Sequence, residues 1–256
     1  MTFPAPVLSV LRDLSALPYE NLSKIVAYHR EGAREARRES AMALSADGLD
    51  RARRDGVGGT CFSLTWWLER RLRGMGFPCA FLLADKSRAR NVHCGLRLDW
   101  EGRSYLLDPG YMIFEPVPLP GGGLASVLWV SPNEVRLEDA PALDVWRLWS
   151  GPRGQSKHRF DFRKSPAGQE EFLGAWEDSY ALPMMAYPVL NRIREGTQYY
   201  LQKRSLLIRT PEGGRMRKLE EGELRLVLEG TFGIPGALAR EALEVVLAMD
   251  HEFFRR

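Results

Sequence analysis

Three residues in this chain could together build an activated thiol: Cys61, His93 and Asp108. A free thiol ionises near pH ~8.5, and the thiolate is the form that attacks a carbonyl carbon. An imidazole within reach takes the thiol proton. A carboxylate on the far ring nitrogen then fixes the tautomer and steadies the imidazolium. The local string is Gly58-Gly59-Thr60-Cys61-Phe62, and its two glycines let backbone approach a substrate closely. A cysteine in the first turn of a helix gains from the positive end of the helix dipole. The amide of Phe62 could then point at a developing oxyanion.

The elements that must position these residues are legible. Thr60 is an N-cap candidate. From Cys61, apolar residues recur at Leu64, Leu68, Leu72 and Met75, close to a helical period. Gly74 and Gly76 mark the end of the helix. His93-Cys94-Gly95-Leu96-Arg97-Leu98-Asp99-Trp100 alternates from Leu96 onward, Glu101-Gly102 is a short turn, and Arg103 to Leu107 forms a second strand. A hairpin brings the start of its first strand beside the end of its second, so His93 and Asp108 are expected to be neighbours.

With these residues in place, a resemblance can be stated. The chain resembles the arylamine N-acetyltransferase family, within the wider papain-like and transglutaminase-like superfamily. Leu17-Pro18-Tyr19-Glu20-Asn21-Leu22 is similar to the family's Pro-Phe-Glu-Asn-Leu string. Gly58-Gly59-Thr60-Cys61-Phe62, His93 and Tyr105-Leu106-Leu107-Asp108-Pro109-Gly110-Tyr111 match further motifs, and Phe232-Gly233-Ile234 resembles the C-terminal region. The resemblance implies an acyl-accepting Cys61, a base His93 and an orienting Asp108. It also implies acetyl-CoA as co-substrate with no bound cofactor, and an arylamine or hydrazine acceptor. Gly110 and Tyr111 would help admit the co-substrate, and Tyr19 and Phe62 would line the substrate pocket. The implied fold class is α+β: an N-terminal helical bundle, a central antiparallel β-barrel and a C-terminal α/β lid. Three positions depart from the family pattern: Val57 stands where arginine is usual, Ser63 where an acidic residue is common, and Met112 where glycine is usual.

Other readings use the same residues. Some relatives close macrolactams from chains delivered by an acyl carrier protein. A transglutaminase-like enzyme or cysteine peptidase would take a peptide amide instead. A non-catalytic binding module is the reading that Val57 favours, and the complete Cys61, His93 and Asp108 set opposes it.

Bulk properties narrow the field. The 256 residues can bury a full core. Hydrophobic residues make up 45% and charged residues 27%, as in ordinary globular proteins. A net charge of +3 does not call for a nucleic-acid partner. No apolar run reaches membrane-spanning length, and the N-terminal residues lack a signal-peptide pattern. Three cysteines are too few for a secreted disulfide framework, so the cytoplasm is the expected location. A metal site from Cys61, His93 and Cys94 lacks the short ligand spacings such sites use, so no metal is expected, and Cys79 and Cys94 read as packing residues.

The chain divides into a helical region carrying the nucleophile (1–86), a barrel region carrying His93 and Asp108 (87–165) and an α/β region (166–256). In the first, 17–29 reads as helical, and Arg34, Arg37, Arg38, Arg51, Arg53 and Arg54 read as a solvated basic face. In the second, 127–130, 143–148 and 158–162 look extended, and Pro116, Pro118, Pro120 and Gly121 to Gly123 read as a loop near the site. In the third, Ser165-Pro166 opens a helix to about Tyr180. Residues 198–209 are strand-like, 215–219 returns after a turn, and 235–249 is a final helix.

Overall fold

The computed structural model describes residues 3–31, 50–51 and 53–249. Arg34, Arg37 and Arg38 of the basic stretch lie outside the described residues. The chain begins with α1 (Ala5–Ser15), β1 (Tyr19–Glu20), α2 (Leu22–Glu31) and α3 (Cys61–Gly74). Eight strands follow: β2 (Cys79–Lys86), β3 (Ala89–Trp100), β4 (Arg103–Asp108), β5 (Ile113–Pro118), β6 (Ala125–Val130), β7 (Asn133–Ala140), β8 (Val145–Gly151) and β9 (Lys157–Arg163). The last third holds α4 (Gln169–Asp178), β10 (Val189–Arg194), β11 (Thr197–Gln202), β12 (Ser205–Thr210), β13 (Gly213–Lys218), α5 (Glu221–Gly230) and α6 (Gly236–Met249). Two compact units result: residues 1–16 with 61–175, and residues 17–60 with 176–256. Among the described residues, no helix is long and apolar enough to cross a membrane.

The first unit is built on an antiparallel sheet in the order β5-β4-β3-β2-β9-β8-β7-β6, curled into a nearly closed barrel. Its interior is apolar because alternate residues of each strand face one way. Leu82, Ala84, Leu106, Ile113, Val117, Leu137, Leu148 and Phe162 form that core. Outside the barrel, Phe81 of β2 stacks on Phe172 at 4.0 Å between ring centres, and Trp66 of α3 stacks on both. Leu64, Leu68 and Leu72 of α3 are buried on one helix face. Burying each contributes about 1.5–3 kcal/mol, so tertiary packing sets the helix where the apolar period placed it. The hairpin also forms as expected. Trp100 pairs with Arg103 and Leu96 with Leu107, and Glu101 and Gly102 both have positive φ, 48° and 72°, as a tight primed turn requires.

Several expectations are corrected. Residues 79–86, inside the region read as helical, are strand β2. Its run Phe81-Leu82-Leu83-Ala84 is buried throughout, and a continuous apolar run does not separate helix from strand by period. The helix expected from Pro166 starts at Gln169, because the Ala167 N–H donates to the Phe81 carbonyl at 2.9 Å and holds that segment extended. Pro116 and Pro118 belong to strand β5, which pairs with β4 alone, the edge position where proline is tolerated. The extended stretch 198–209 is a hairpin broken at Lys203, φ 57°.

The second unit carries the meander β1-β10-β11-β12-β13 with α2 against α6. The segment 17–29 is not helix throughout, since Tyr19 and Glu20 pair with Asn191 and Leu190. The next two residues explain why. Asn21 is fully buried, its Nδ2 donating to the carbonyls of Met184 at 2.6 Å and Tyr187 at 2.8 Å. Its Oδ1 accepts from the Val189 N–H at 2.8 Å. Glu20 caps the start of α2, accepting from the Ser23 N–H at 2.9 Å and hydroxyl at 2.5 Å.

Candidate active site

Asp108 ends β4 and is completely buried. Its Oδ2 lies 2.7 Å from His93 Nε2. Its Oδ1 accepts from the Tyr111 N–H at 2.9 Å, capping the 3-10 turn Pro109–Tyr111. With Nε2 engaged, Nδ1 is the ring nitrogen left for the thiol of Cys61, to which His93 is hydrogen-bonded. Cys61 opens α3 and is buried. The three residues singled out from sequence therefore form one buried chain: thiol, imidazole, carboxylate.

The electrostatics of this chain favour a charged imidazole. Burial alone would pull the His93 pKa down. The charge and hydrogen bond of Asp108, then those of Cys61, outweigh it and push it up to about 10. Burial pushes the Asp108 carboxyl up, against the pull of His93 and of the Tyr111 N–H. Cys94 is also buried against Cys61, and burial followed by that contact drives its thiol well above the ordinary range, so it stays protonated. Cys79 is pushed up to about 11, chiefly by burial.

Gly110 packs directly on Cys61. A Cβ there would overlap Cys61 Cβ, lie 2.7 Å from Cys61 Cα and lie 3.2 Å from His93 Cε1. Space makes glycine necessary here. At Met112 the reverse holds. Its φ is 62° and ψ 28°, a left-handed conformation that suits glycine, yet its side chain is buried. Burial of the methionine offsets the backbone cost, which accounts for a non-glycine residue at that turn.

Tyr111 hydrogen-bonds through its hydroxyl to Ser150 Oγ at 2.6 Å. Ser150 also accepts from Arg159, Nε to Oγ at 3.2 Å and Nη2 to its carbonyl at 2.9 Å. Phe160 stacks on His93 at 4.0 Å with 11° between planes. Sequence reading missed Ser150, Arg159 and Phe160. Their strands carried no motif, and only the pairing of β9 with β2 places Phe160 beside β3.

Of the expected pocket residues, Phe62 is buried with its ring against Phe172 at 5.4 Å, a packing position. Tyr19 belongs to the second unit, where its hydroxyl lies 4.0 Å from Met184 Sδ and its backbone bridges Gly59. In that unit the Glu20 N–H donates to the Gly59 carbonyl at 3.0 Å, and a Cβ on Gly58 would overlap the Pro18 carbonyl oxygen. Val57 supplies no cation, but Arg53 Nη2 reaches the Gly58 carbonyl at 2.8 Å. Among the described residues, no group of three or more His, Cys, Asp or Glu could hold a metal ion.

The sequence matches the N-acetyltransferase family over residues 8–240, and the chain belongs to that family of transferases. Its members use acetyl-CoA as co-substrate. Solved structures share the fold. The arylamine N-acetyltransferase of Mycobacterium marinum is 20% identical, with 97% of this chain and 93% of that one aligned at a TM-score of 0.78. The Nocardia farcinica enzyme is 20% identical over 100% and 92% of the two chains, TM-score 0.75. A Mycobacterium marinum structure in complex with CoA is 20% identical over 96% of each, TM-score 0.74. No curated protein sequence matches the chain.

Proposed function

We propose that this transferase moves an acetyl group from acetyl-CoA, through a thioester on Cys61, to an arylamine or hydrazine. The observation that carries this reading is the buried Cys61–His93–Asp108 chain in a member of this family. The CoA complex of the Mycobacterium marinum enzyme supports the choice of donor.

The chemistry follows from the groups present. His93 takes the Cys61 proton, and Sγ attacks the thioester carbonyl of acetyl-CoA. The tetrahedral intermediate collapses, the C–S bond to CoA breaks, and the CoA sulfur leaves with the proton held by His93. An amine nitrogen then attacks the acetyl-Cys61 carbonyl. His93 receives the amine proton and returns it to the Cys61 sulfur as the amide departs. Asp108 keeps Nδ1 directed at the sulfur and stabilises the imidazolium in both half-reactions. A reducing cytoplasm suits a working thiolate and the free state of Cys61, Cys79 and Cys94.

Initial-rate kinetics with acetyl-CoA and an arylamine test the route. Two separate half-reactions give parallel double-reciprocal lines, and Cys61→Ala has no turnover. Intersecting lines, or turnover in that variant, would exclude the acyl-cysteine route.

A further inference from the structure

The imidazole of His93 lies in a cage of aromatic rings. Phe160 lies flat on it, ring centres 4.0 Å apart and planes 11° from parallel. Tyr111 meets both rings edge-on, at 6.4 Å from His93 and 5.8 Å from Phe160. Phe162 closes a third side at 5.8 Å, also edge-on. The cage is anchored: Tyr111 is fixed at its hydroxyl by Ser150 and at its N–H by Asp108, and Ser150 is fixed by Arg159.

A flat stack has a definite electrostatic preference. The face of a phenyl ring is negative. It gains little from a neutral imidazole laid parallel to it and more from an imidazolium, by cation–π attraction. A core position would be served as well by leucine, which has no such face. Phe160 is only half-buried, so its packing against the barrel core leaves the choice of an aromatic ring unexplained.

We propose that Phe160 is a positioning residue that holds the His93 ring in line with Cys61 and favours its charged form through the stacked face. This rests on the reading of Cys61 and His93 as nucleophile and base. Other charged or titratable groups also bear on the imidazole. Asp108 and Cys61 touch it, Cys94 touches Cys61, and Tyr111 lies at its edge. Arg159 is tied to Ser150, and Lys86 Nζ stands 5.9 Å from the Phe160 ring centre. Asp108 dominates, so Phe160 adjusts the titration and does not create it.

The test is the pH profile of Cys61 alkylation by iodoacetamide in wild type, Phe160→Leu and Phe160→Tyr, with the His93 ring titrated by NMR in each. A cation–π stack of ordinary strength corresponds to a few-fold to about tenfold change in the His93 proton affinity. Phe160→Leu is expected to lower the His93 titration midpoint by up to about one pH unit. Phe160→Tyr keeps the stacked face and is expected to restore the wild-type midpoint even if its fold stability differs. A Phe160→Leu midpoint equal to wild type would overturn the proposal, and so would failure of Phe160→Tyr to restore it. Failure of the underlying reading looks different: His93→Gln would leave the wild-type alkylation profile unchanged.

Discussion

Replacing Gly110 by alanine tests the site geometry most sharply among single substitutions. The new methyl would lie 2.7 Å from Cys61 Cα and 3.2 Å from His93 Cε1, and would overlap Cys61 Cβ. Carbon atoms in good contact sit roughly 3.5–4.0 Å apart, so the turn after β4 and the start of α3 must separate by about 1 Å. Two of the three atoms met belong to Cys61 itself, and one of these is backbone, so no flexible side chain can swing away. Overpacking of this kind costs about 1–3 kcal/mol of stability. A displacement of about 1 Å between reacting groups costs on the order of a hundredfold in rate. Gly121→Ala is the control, because a Cβ there meets nothing within 4 Å. The assay is the single-turnover rate of Cys61 acetylation by acetyl-CoA, with unfolding followed in denaturant. Gly110→Ala should acetylate about a hundredfold more slowly while Gly121→Ala matches wild type. A wild-type rate in Gly110→Ala would refute the close packing of this turn on Cys61.

Two further predictions concern stability. The folded His93 pKa, about 10, lies above the unfolded value of ~6.5. The contribution of His93 to stability is thus full below about pH 6.5 and is lost as pH rises through about 10, at up to ~1.4 kcal/mol per pH unit between. The stability gap between wild type and His93→Gln, measured by denaturant unfolding, should narrow over that window, and a widening gap would contradict the cause assigned. Asn21→Ala removes the partners of two carbonyls and one N–H in the second unit. It should cost about 3 kcal/mol or more, and a loss below about 1 kcal/mol would show that water replaces the side chain.

The readable part of the site was the part carried by local pattern. Cys61 announced a helix through Leu64, Leu68 and Leu72, and the helix runs from Cys61 to Gly74. The Glu101-Gly102 turn fixed the register that sets His93 beside Asp108. What escaped was non-local. Phe160 reaches His93 only because β9 pairs with β2 across a long stretch of chain. Ser150 and Arg159 brace Tyr111 from β8 and β9, and nothing in the sequence of those strands sets them apart. The motif residues of 19–22 were legible as a resemblance, but not as backbone pairing at Tyr19 and Glu20, an α2 cap at Glu20 and a three-bond brace at Asn21. Strand β7, where Val135 and Leu137 alternate with Glu134, Arg136 and Glu138, and β10, ending in Asn191-Arg192-Ile193-Arg194, carried too little apolar signal to stand out. The run at β2 was apolar enough but had no period to distinguish strand from helix.

Intact-protein mass spectrometry after mixing with acetyl-CoA, in wild type and Cys61→Ala, tests the central claim most directly. The account predicts one added acetyl group on wild type, mapped to Cys61, absent from the variant and discharged when an arylamine is supplied. An unmodified wild-type protein whose Cys61 still alkylates rapidly at neutral pH would contradict acetyl-CoA as the donor. An acetyl group on any other residue would contradict Cys61 as the nucleophile.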